Sequence, residues 1–159
     1  EEKNSLKDWD PSKADAFDPN EANIRAILAE KDEALSRVRE LRAQVREGGP
    51  GLTEAAQAYL RMCFEVFEAY VTAFRNVTQA IILTRYVLSR EDDASPFAAE
   101  AERMLRERLE EMTKLAEAFE EMCRTTDYPH RVYTLLDPDR LTALHHDLTA
   151  RLAARTARV

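Results

Sequence analysis

The sequence is poor in the residues that interrupt helices, with three glycines and six prolines among 159 residues. A glycine-rich phosphate-binding loop needs several glycines within a few positions, but here Gly48 and Gly49 end a helical pattern instead. The longest strongly apolar run, residues 80–83, is far shorter than the ~20 residues needed to cross a bilayer. The sequence therefore predicts neither a phosphate-binding loop nor a membrane-spanning segment.

Residues that hold metals or haem are also scarce. The sequence has two cysteines and three histidines, and it lacks the Cys-x-x-Cys-His pattern of covalent haem attachment. Di-iron sites in helical bundles use Glu-x-x-His pairs, whereas Thr142 and Ala143 stand three residues before His145 and His146. We therefore predict no metal and no cofactor.

What the sequence does contain favours long helices, since 45% of its residues are hydrophobic and 33% are charged. Its length fits one domain with a core that needs no disulfide. The net charge is −7, and residues 89–123 carry eleven acidic and five basic side chains, hence −6 in that stretch. An acidic helix argues against a nucleic-acid partner. We expect the partners to be other domains of the same polypeptide or a separate protein.

The start of the chain bears on its origin. The first residue is Glu1 rather than Met, and no charged segment followed by an apolar one precedes the helical region. We therefore expect the N-terminus to be trimmed, processed or excised from something larger. The sequence does not identify the compartment, and a soluble, cytoplasmic chain is the default expectation.

Apolar residues that recur every three or four positions define four helices. Residues 1–18 are predicted to form an irregular arm, and the first helix follows an N-cap at Asp18 and ends at Gly48. The second covers about residues 53–90, the third about 95–124, and the fourth begins near 137. The predicted fold is an all-α antiparallel bundle of three long helices plus a shorter C-terminal fourth, with residues 19–159 as a single domain.

The second helix is predicted to be central because most of its circumference is apolar. Its polar residues form one narrow stripe, which we interpret as the solvent-facing side. The stripe consists of Glu54, Gln57, Arg61, Glu65, Glu68, Thr72, Arg75 and Gln79.

The second and third helices are expected to form an antiparallel hairpin whose turn centres near residue 93. Residues at equal height then have numbers that sum to about 186, which pairs Phe67 with Phe119. The same register places Cys63 level with Cys123. The two cysteines form either a disulfide or a pair of buried thiols, and both alternatives stay open.

One short pattern has a catalytic precedent. Arg140 and His145, with Leu-Thr-Ala-Leu between them, resemble the Arg-x4–6-His signature of the nucleotide-binding superfamily shared by higher eukaryotes and prokaryotes. Many members of that family are four-helix ribonucleases, so the resemblance implies that Arg140 binds phosphate and His145 transfers protons. Leu141 departs from the polar residue that usually follows the arginine. Five residues along a helix also place the two side chains about 140° apart.

A second resemblance concerns the order and residue pattern of three segments. Residues 29–35, 67–75 and 133–141 look like the all-α regions that follow the catalytic barrel in some large bacterial glycoside hydrolases. The resemblance spans about residues 22–152 and implies an accessory domain. It transfers no site residue to this chain.

We therefore predict a non-catalytic helical domain with a structural or protein-interaction role. The alternatives are a ribonuclease-like domain that uses Arg140 and His145, and a small-ligand-binding bundle. An internal cavity lined by Tyr59, Phe67, Tyr70 and Phe74 would favour ligand binding. An apolar patch on the outside would favour the interaction domain.

Overall fold

A computed structural model of the chain describes residues 20–46, 51–90, 95–125 and 137–156, with the backbone only at positions 46, 122, 123, 125 and 156. These ranges hold four helices and no strand: α1 (Glu21–Arg46), α2 (Glu54–Ser89), α3 (Pro96–Thr125) and α4 (Pro138–Thr156). The predicted all-α fold with three long helices and a shorter fourth is confirmed. The predicted arm, residues 1–18, lies outside the described residues.

The helices begin at side chains that accept hydrogen bonds from otherwise unpaired backbone amides. The cap of α1 is Asn20, whose Oδ1 accepts from the Asn23 amide at 2.9 Å, rather than the predicted Asp18. Both residue types cap well, so the cap moves by two positions at little energetic cost. Thr53 caps α2 through Oγ1, and Asp137 Oδ1 accepts from the Asp139 amide at the start of α4.

Successive helices pack against each other, and α4 also contacts α2. The four helices share one hydrophobic core, because buried side chains from all of them contact one another. The largest fully buried hydrophobic residues are Ile24, Leu35, Leu83, Tyr86, Leu105, Met112, Phe119 and Leu141. None of the described helices is long and apolar enough to span a membrane.

The predicted register between α2 and α3 is confirmed by contacts at two heights. Arg75 forms an ion pair with Glu111, and their numbers sum to 186. About three to four turns further along, the rings of Tyr86 and Phe97, whose numbers sum to 183, meet edge to face with centroids 4.9 Å apart, within one helical turn of the predicted level. The two helices therefore form the expected antiparallel hairpin.

Two expectations about the second helix were wrong. Helix α2 is central only in its second half, since residues 54–72 include no buried side chain. The polar stripe does not face solvent along its whole length, because Gln79 is fully buried and the Glu68 and Arg75 side chains are largely covered. Between Glu65 and Gln79 the stripe faces α1, where ion pairs engage Glu65, Glu68 and Arg75 and a hydrogen bond engages Gln79 Nε2.

Candidate functional site

One glutamate of α2 is shared by two arginines of α1 and so joins the two helices. Glu68 accepts from Arg39 Nε at 3.0 Å and also from Arg42. Burial would raise the pKa of Glu68, but the hydrogen bonds from Arg42 and Arg39 outweigh burial and hold that pKa below its ordinary value. This carboxylate is fully engaged in joining two helices, which leaves it unsuited to proton transfer.

A second polar cluster lies between α1, α2 and α3. Buried Gln79 donates from Nε2 to the Leu28 carbonyl and to Asp32 Oδ1, both at 3.2 Å. Arg75 contacts Asp32 and Glu111, and Arg108 Nη1 lies 2.6 Å from Glu111 Oε1. The cluster therefore determines which side of α2 faces α1 and which side faces α3.

Burial and ion pairing act in opposite directions on the charged groups of this cluster. Burial lowers the pKa of Arg75, and the nearby Arg108 lowers it further. Burial would raise the pKa of Glu111, but the hydrogen bond and charge of Arg108 and the charge of Arg75 together lower it. Each charge in the cluster therefore has an opposite charge beside it.

The opposite side of α2 presents an apolar surface, here named the outer face. Its residues recur at steps of four, three, four, four, three and four, which holds them within a narrow arc of the helix. The outer face consists of Ala56, Tyr59, Cys63, Phe67, Tyr70 and Phe74, together with Leu52, which precedes the N-cap of the helix. Tyr59 is 63% exposed and Phe67 is 48% exposed. Tyr59 and Phe67 therefore lie on the surface, whereas Tyr70 packs against the hydrophobic core and the Phe74 ring lies 5.2 Å from the Lys31 ammonium of α1.

Cys63 lies at the middle of the outer face. Its thiol is free and half-buried, and it raises the pKa of the neighbouring Tyr59 phenol through a side-chain hydrogen bond. The side chain of Cys123 lies outside the described residues. Cys63 forms no disulfide in the structure, and its position level with Cys123 stays a prediction.

A groove of about 740 Å³ runs between α3 and α4. Apolar side chains from both helices, including Leu105, Leu109 and Leu152, line it. Glu102 and Arg155 lie at its edge and form an ion pair at 3.2 Å. His145 also lines the groove, and burial, with a smaller contribution from His146, lowers the pKa of His145.

The structure shows different surroundings for the two residues of the predicted catalytic pair. His145 lines the α3–α4 groove, while Arg140 is not among the side chains that form it. Arg140 Nε instead lies 3.4 Å from Asp137 Oδ2, one turn back on α4. Among the described side chains, no group of three or more histidine, cysteine or carboxylate residues is arranged to hold a metal ion.

Two features of these surfaces were missed from the sequence. Arg39 and Arg42 are three residues apart on α1, as are Glu65 and Glu68 on α2, and this matched spacing was the available signal for the cross-helix ion pairs. The outer face was expected to be covered by neighbouring helices. Because α3 extends past the height of Phe67, the exposure of the face depends on which sides of α2 the other helices contact, which apolar periodicity on α2 does not report.

No family model, curated protein or solved structure matches the chain. The resemblance to the all-α regions of glycoside hydrolases therefore stays a prediction. The fold and surfaces define an all-α bundle with an exposed apolar helix face on one side and a mixed apolar and polar groove on another.

Proposed function

We propose that this chain is a non-catalytic helical domain that binds another protein surface through the outer face of α2. A structural or accessory role within a larger protein, such as a glycoside hydrolase, is consistent with this function. The observation that carries the proposal is the exposure of Tyr59 and Phe67 on a helix face that bears no charged side chain from Leu52 to Phe74.

The chemistry of the outer face suits protein recognition. Large aromatic side chains supply most of the binding energy at protein interfaces, because each buries a large area while restricting few rotatable bonds. Contiguous exposed apolar surface is uncommon on monomeric proteins and usually marks an interaction site. Arg39 and Arg42 hold α1 on the far side of α2, which leaves the outer face accessible to a partner.

The polar residues support a non-catalytic role. Glu68 and Arg75 are largely covered and Glu111 is partly exposed, and all three are engaged in ion pairs between helices. Charged groups held in this way stabilise the helix arrangement and are not available to a substrate. The proposal therefore assigns these residues to architecture and the outer face to function.

The variant Tyr59→Ser/Phe67→Ser tests the proposal. Because both rings are largely exposed, we expect the free energy of unfolding to change by less than ~1 kcal/mol. Fluorescence of anilinonaphthalene sulfonate, a dye that binds apolar protein surfaces, should fall several-fold. Leu88→Ser serves as the matched control, since Leu88 is an exposed apolar residue of α2 outside the outer face.

Two results would contradict the proposal. A loss of several kcal/mol would mean that the two rings are packed within the fold rather than presented to a partner. Unchanged dye fluorescence would mean that the outer face is not an accessible apolar surface.

The α3–α4 groove supports small-ligand binding as a second candidate function. Its volume of about 740 Å³ falls in the range of small-molecule sites, and its apolar walls carry a few polar groups, including His145. The variant Leu152→Trp should fill part of the groove. If the dye fluorescence falls in this variant and persists in Tyr59→Ser/Phe67→Ser, the groove is the binding surface.

A further inference from the structure

We propose that the α3–α4 groove binds an uncharged, elongated molecule that is mostly apolar and carries one hydrogen-bonding group, such as a long-chain alcohol whose hydroxyl bonds to His145. The inference rests on small-ligand binding, the second candidate function, because it names the class of ligand for the same groove. Its evidence is the shape of the groove, the apolar side chains that line it and the balance of charge around it.

The α3–α4 groove is long and narrow. Its lining residues on α3 extend from Glu102 to Glu117, which corresponds to ~22 Å at ~1.5 Å per residue. A volume of about 740 Å³ spread over that length gives a mean cross-section of ~33 Å². A helix that is ~10 Å wide has a cross-section of ~80 Å², so the groove is too narrow to enclose a partner helix but accepts an extended small molecule.

Three helices supply the apolar part of the groove. Val87 belongs to the end of α2, Leu105 and Leu109 to α3, and Leu152 and Ala153 to α4. Val87, Leu105 and Leu109 are buried in the bundle, and Leu152 packs against the core. The apolar wall is therefore held in place by the fold. A ligand that covers this wall gains free energy by removing its own apolar surface from water.

The charged side chains around the groove are balanced in sign. Each of the three basic side chains that line it lies beside a carboxylate of α3. Arg106 and Arg155 lie 3.5 and 3.2 Å from Glu102, and Lys114 lies 2.6 Å from Glu110. A charged head group would meet both signs and would lose part of its hydration without gaining a matching charge. The balance of charge therefore favours an uncharged ligand.

Glu117 is the remaining carboxylate of the lining, and its side chain is exposed. Solvent and salt screen an exposed charge, so Glu117 adds little attraction for a cation. Apolar contact and hydrogen bonding are therefore the main sources of affinity in the groove.

His145 supplies the hydrogen-bonding group of the groove, and its side chain is half-buried on the α4 wall. Burial lowers the pKa of His145, with a smaller contribution from His146, whose ring centroid lies 5.8 Å away, so the imidazole is neutral at neutral pH. A neutral imidazole has one nitrogen that donates and one that accepts. A ligand hydroxyl can bond to it in either direction, whereas a carboxylate can only accept.

The first experiment compares decanol, decanoate and decyltrimethylammonium, which share one chain length and differ in the charge of the head group. Each is used to displace N-phenyl-1-naphthylamine, an uncharged dye that fluoresces in apolar sites, from the full chain at neutral pH. We expect decanol to displace half of the dye at a concentration at least tenfold lower than either ion requires. Equal displacement by either ion would overturn the choice of an uncharged ligand.

A charge variant tests whether the balance of charge, rather than the lower water solubility of decanol, sets this preference. Glu102→Gln/Glu110→Gln removes the carboxylates beside the three basic side chains of the groove and should strengthen decanoate binding several-fold, with decanol binding unchanged. Glu120→Gln/Glu121→Gln makes the same change of net charge on α3 outside the groove and should alter neither. Unchanged decanoate binding in the groove variant would contradict the argument from charge.

Two neighbouring alanines of α4 test the location of the site. Both are exposed, but only Ala153 lines the groove, whereas Ala154 does not. Ala153→Trp should weaken decanol binding at least tenfold, because the indole ring occupies part of the groove. Ala154→Trp should leave decanol binding unchanged. Equal affinities in the two variants, with helicity retained by circular dichroism, would place the bound decanol elsewhere.

The variant His145→Phe tests the hydrogen bond, because it keeps a ring of similar size and removes both nitrogens. Decanol binding should weaken about fivefold, as the loss of one hydrogen bond predicts. Binding of 1-chlorodecane, which has the same chain and no hydroxyl, should not change. Equal weakening for both ligands would mean that His145 contributes only packing.

The outcomes separate this inference from the candidate function on which it rests. If neither the dye nor decanol binds, or if Ala153→Trp leaves their binding unchanged, both the ligand class and small-ligand binding in the groove are overturned. If Ala153→Trp abolishes binding but decanoate binds the natural sequence as strongly as decanol, only the ligand class is overturned, and the groove is kept as a binding site.

Discussion

At the scale of single residues, polar side chains determine how the first two helices face each other. Glu68 accepts hydrogen bonds from two arginines of α1, and buried Gln79 donates to the Leu28 carbonyl of the same helix. Buried or half-buried polar groups require partners, so a rotation of α2 that removed these contacts would carry a desolvation penalty. The hydrophobic core alone does not impose this orientation.

Glu68 provides a direct test of that view. Glu68→Ala should destabilise the fold by ~1–2 kcal/mol, because it removes charge-assisted hydrogen bonds and leaves Arg42 partly buried without its main partner. Glu65→Ala is the control, since Glu65 is half exposed and lies 3.6 Å from the same arginine; its effect should stay below ~0.5 kcal/mol. Urea unfolding measures both, and equal losses would mean that Glu68 is not the main contact.

The catalytic hypothesis is tested at the residue scale. His145 lines a groove that Arg140 does not line, and Arg140 lies beside Asp137, an arrangement that does not favour a shared phosphate. We expect the purified chain not to cleave single-stranded RNA. Metal-independent cleavage that is lost in both Arg140→Ala and His145→Ala, with helicity retained by circular dichroism, would restore the ribonuclease hypothesis.

At the scale of elements, apolar periodicity was sufficient to place four helices within a few residues of their observed ends. It also gave the α2–α3 register, since Arg75 and Glu111 meet where the hairpin turn predicts. It did not predict which side of α2 faces α1 and which side faces solvent. A polar stripe indicates solvent only if no neighbouring helix supplies matching charges, and Arg39 and Arg42 supply them here.

The candidate site was harder to predict than the fold for a related reason. Periodicity shows that Tyr59 and Phe67 share an apolar face, but whether that face is covered depends on the length and position of the other helices. His145 was singled out from a short motif, whereas the groove that contains it also needs Glu102 and Arg155 from different helices. Residues far apart in sequence give no local signal of such a site.

Phe119 of α3 and Phe67 of α2 differ in burial, so replacing each by alanine should change the free energy of unfolding by different amounts. Phe119 is 1% exposed, and Phe119→Ala should cost ~3–5 kcal/mol because its neighbours fill the cavity only in part. Phe67 is at the same height in the register but half exposed, so Phe67→Ala should cost less than ~1 kcal/mol in monomeric protein. Urea unfolding at low protein concentration compares them; similar losses would show that Phe67 is buried in solution.

At the scale of the whole molecule, many acidic side chains lie beside basic ones, although the net charge stays −7. Helix α3 carries many glutamates, yet several have a basic partner one turn away, as in Glu110 with Lys114 and Glu107 with Arg103. Such exposed pairs contribute little individually. The pairs between helices, at Glu68 and Glu111, are less exposed and join α1, α2 and α3.

These interhelical pairs make the stability of the bundle depend on pH. The pKa values of Glu68 and Glu111 are both lower in the folded chain than the ordinary glutamate value of 4.5. Below that value the unfolded chain binds more protons than the folded one, so acid favours unfolding. The contribution of both carboxylates is fully present above about pH 5 and is lost as the pH falls through their folded values.

We therefore expect Glu68 and Glu111 to leave the midpoint of urea unfolding nearly unchanged from neutral pH down to about pH 5. At lower pH, their protonation should make the midpoint fall steadily. Glu68→Gln/Glu111→Gln should be less stable at neutral pH but should lose stability less steeply in acid, because the amides do not titrate. Glu110→Gln/Glu107→Gln, which removes two exposed pairs, is the control and should retain the acid slope of the natural sequence. A double variant at Glu68 and Glu111 that kept the full slope would mean that other carboxylates govern acid unfolding.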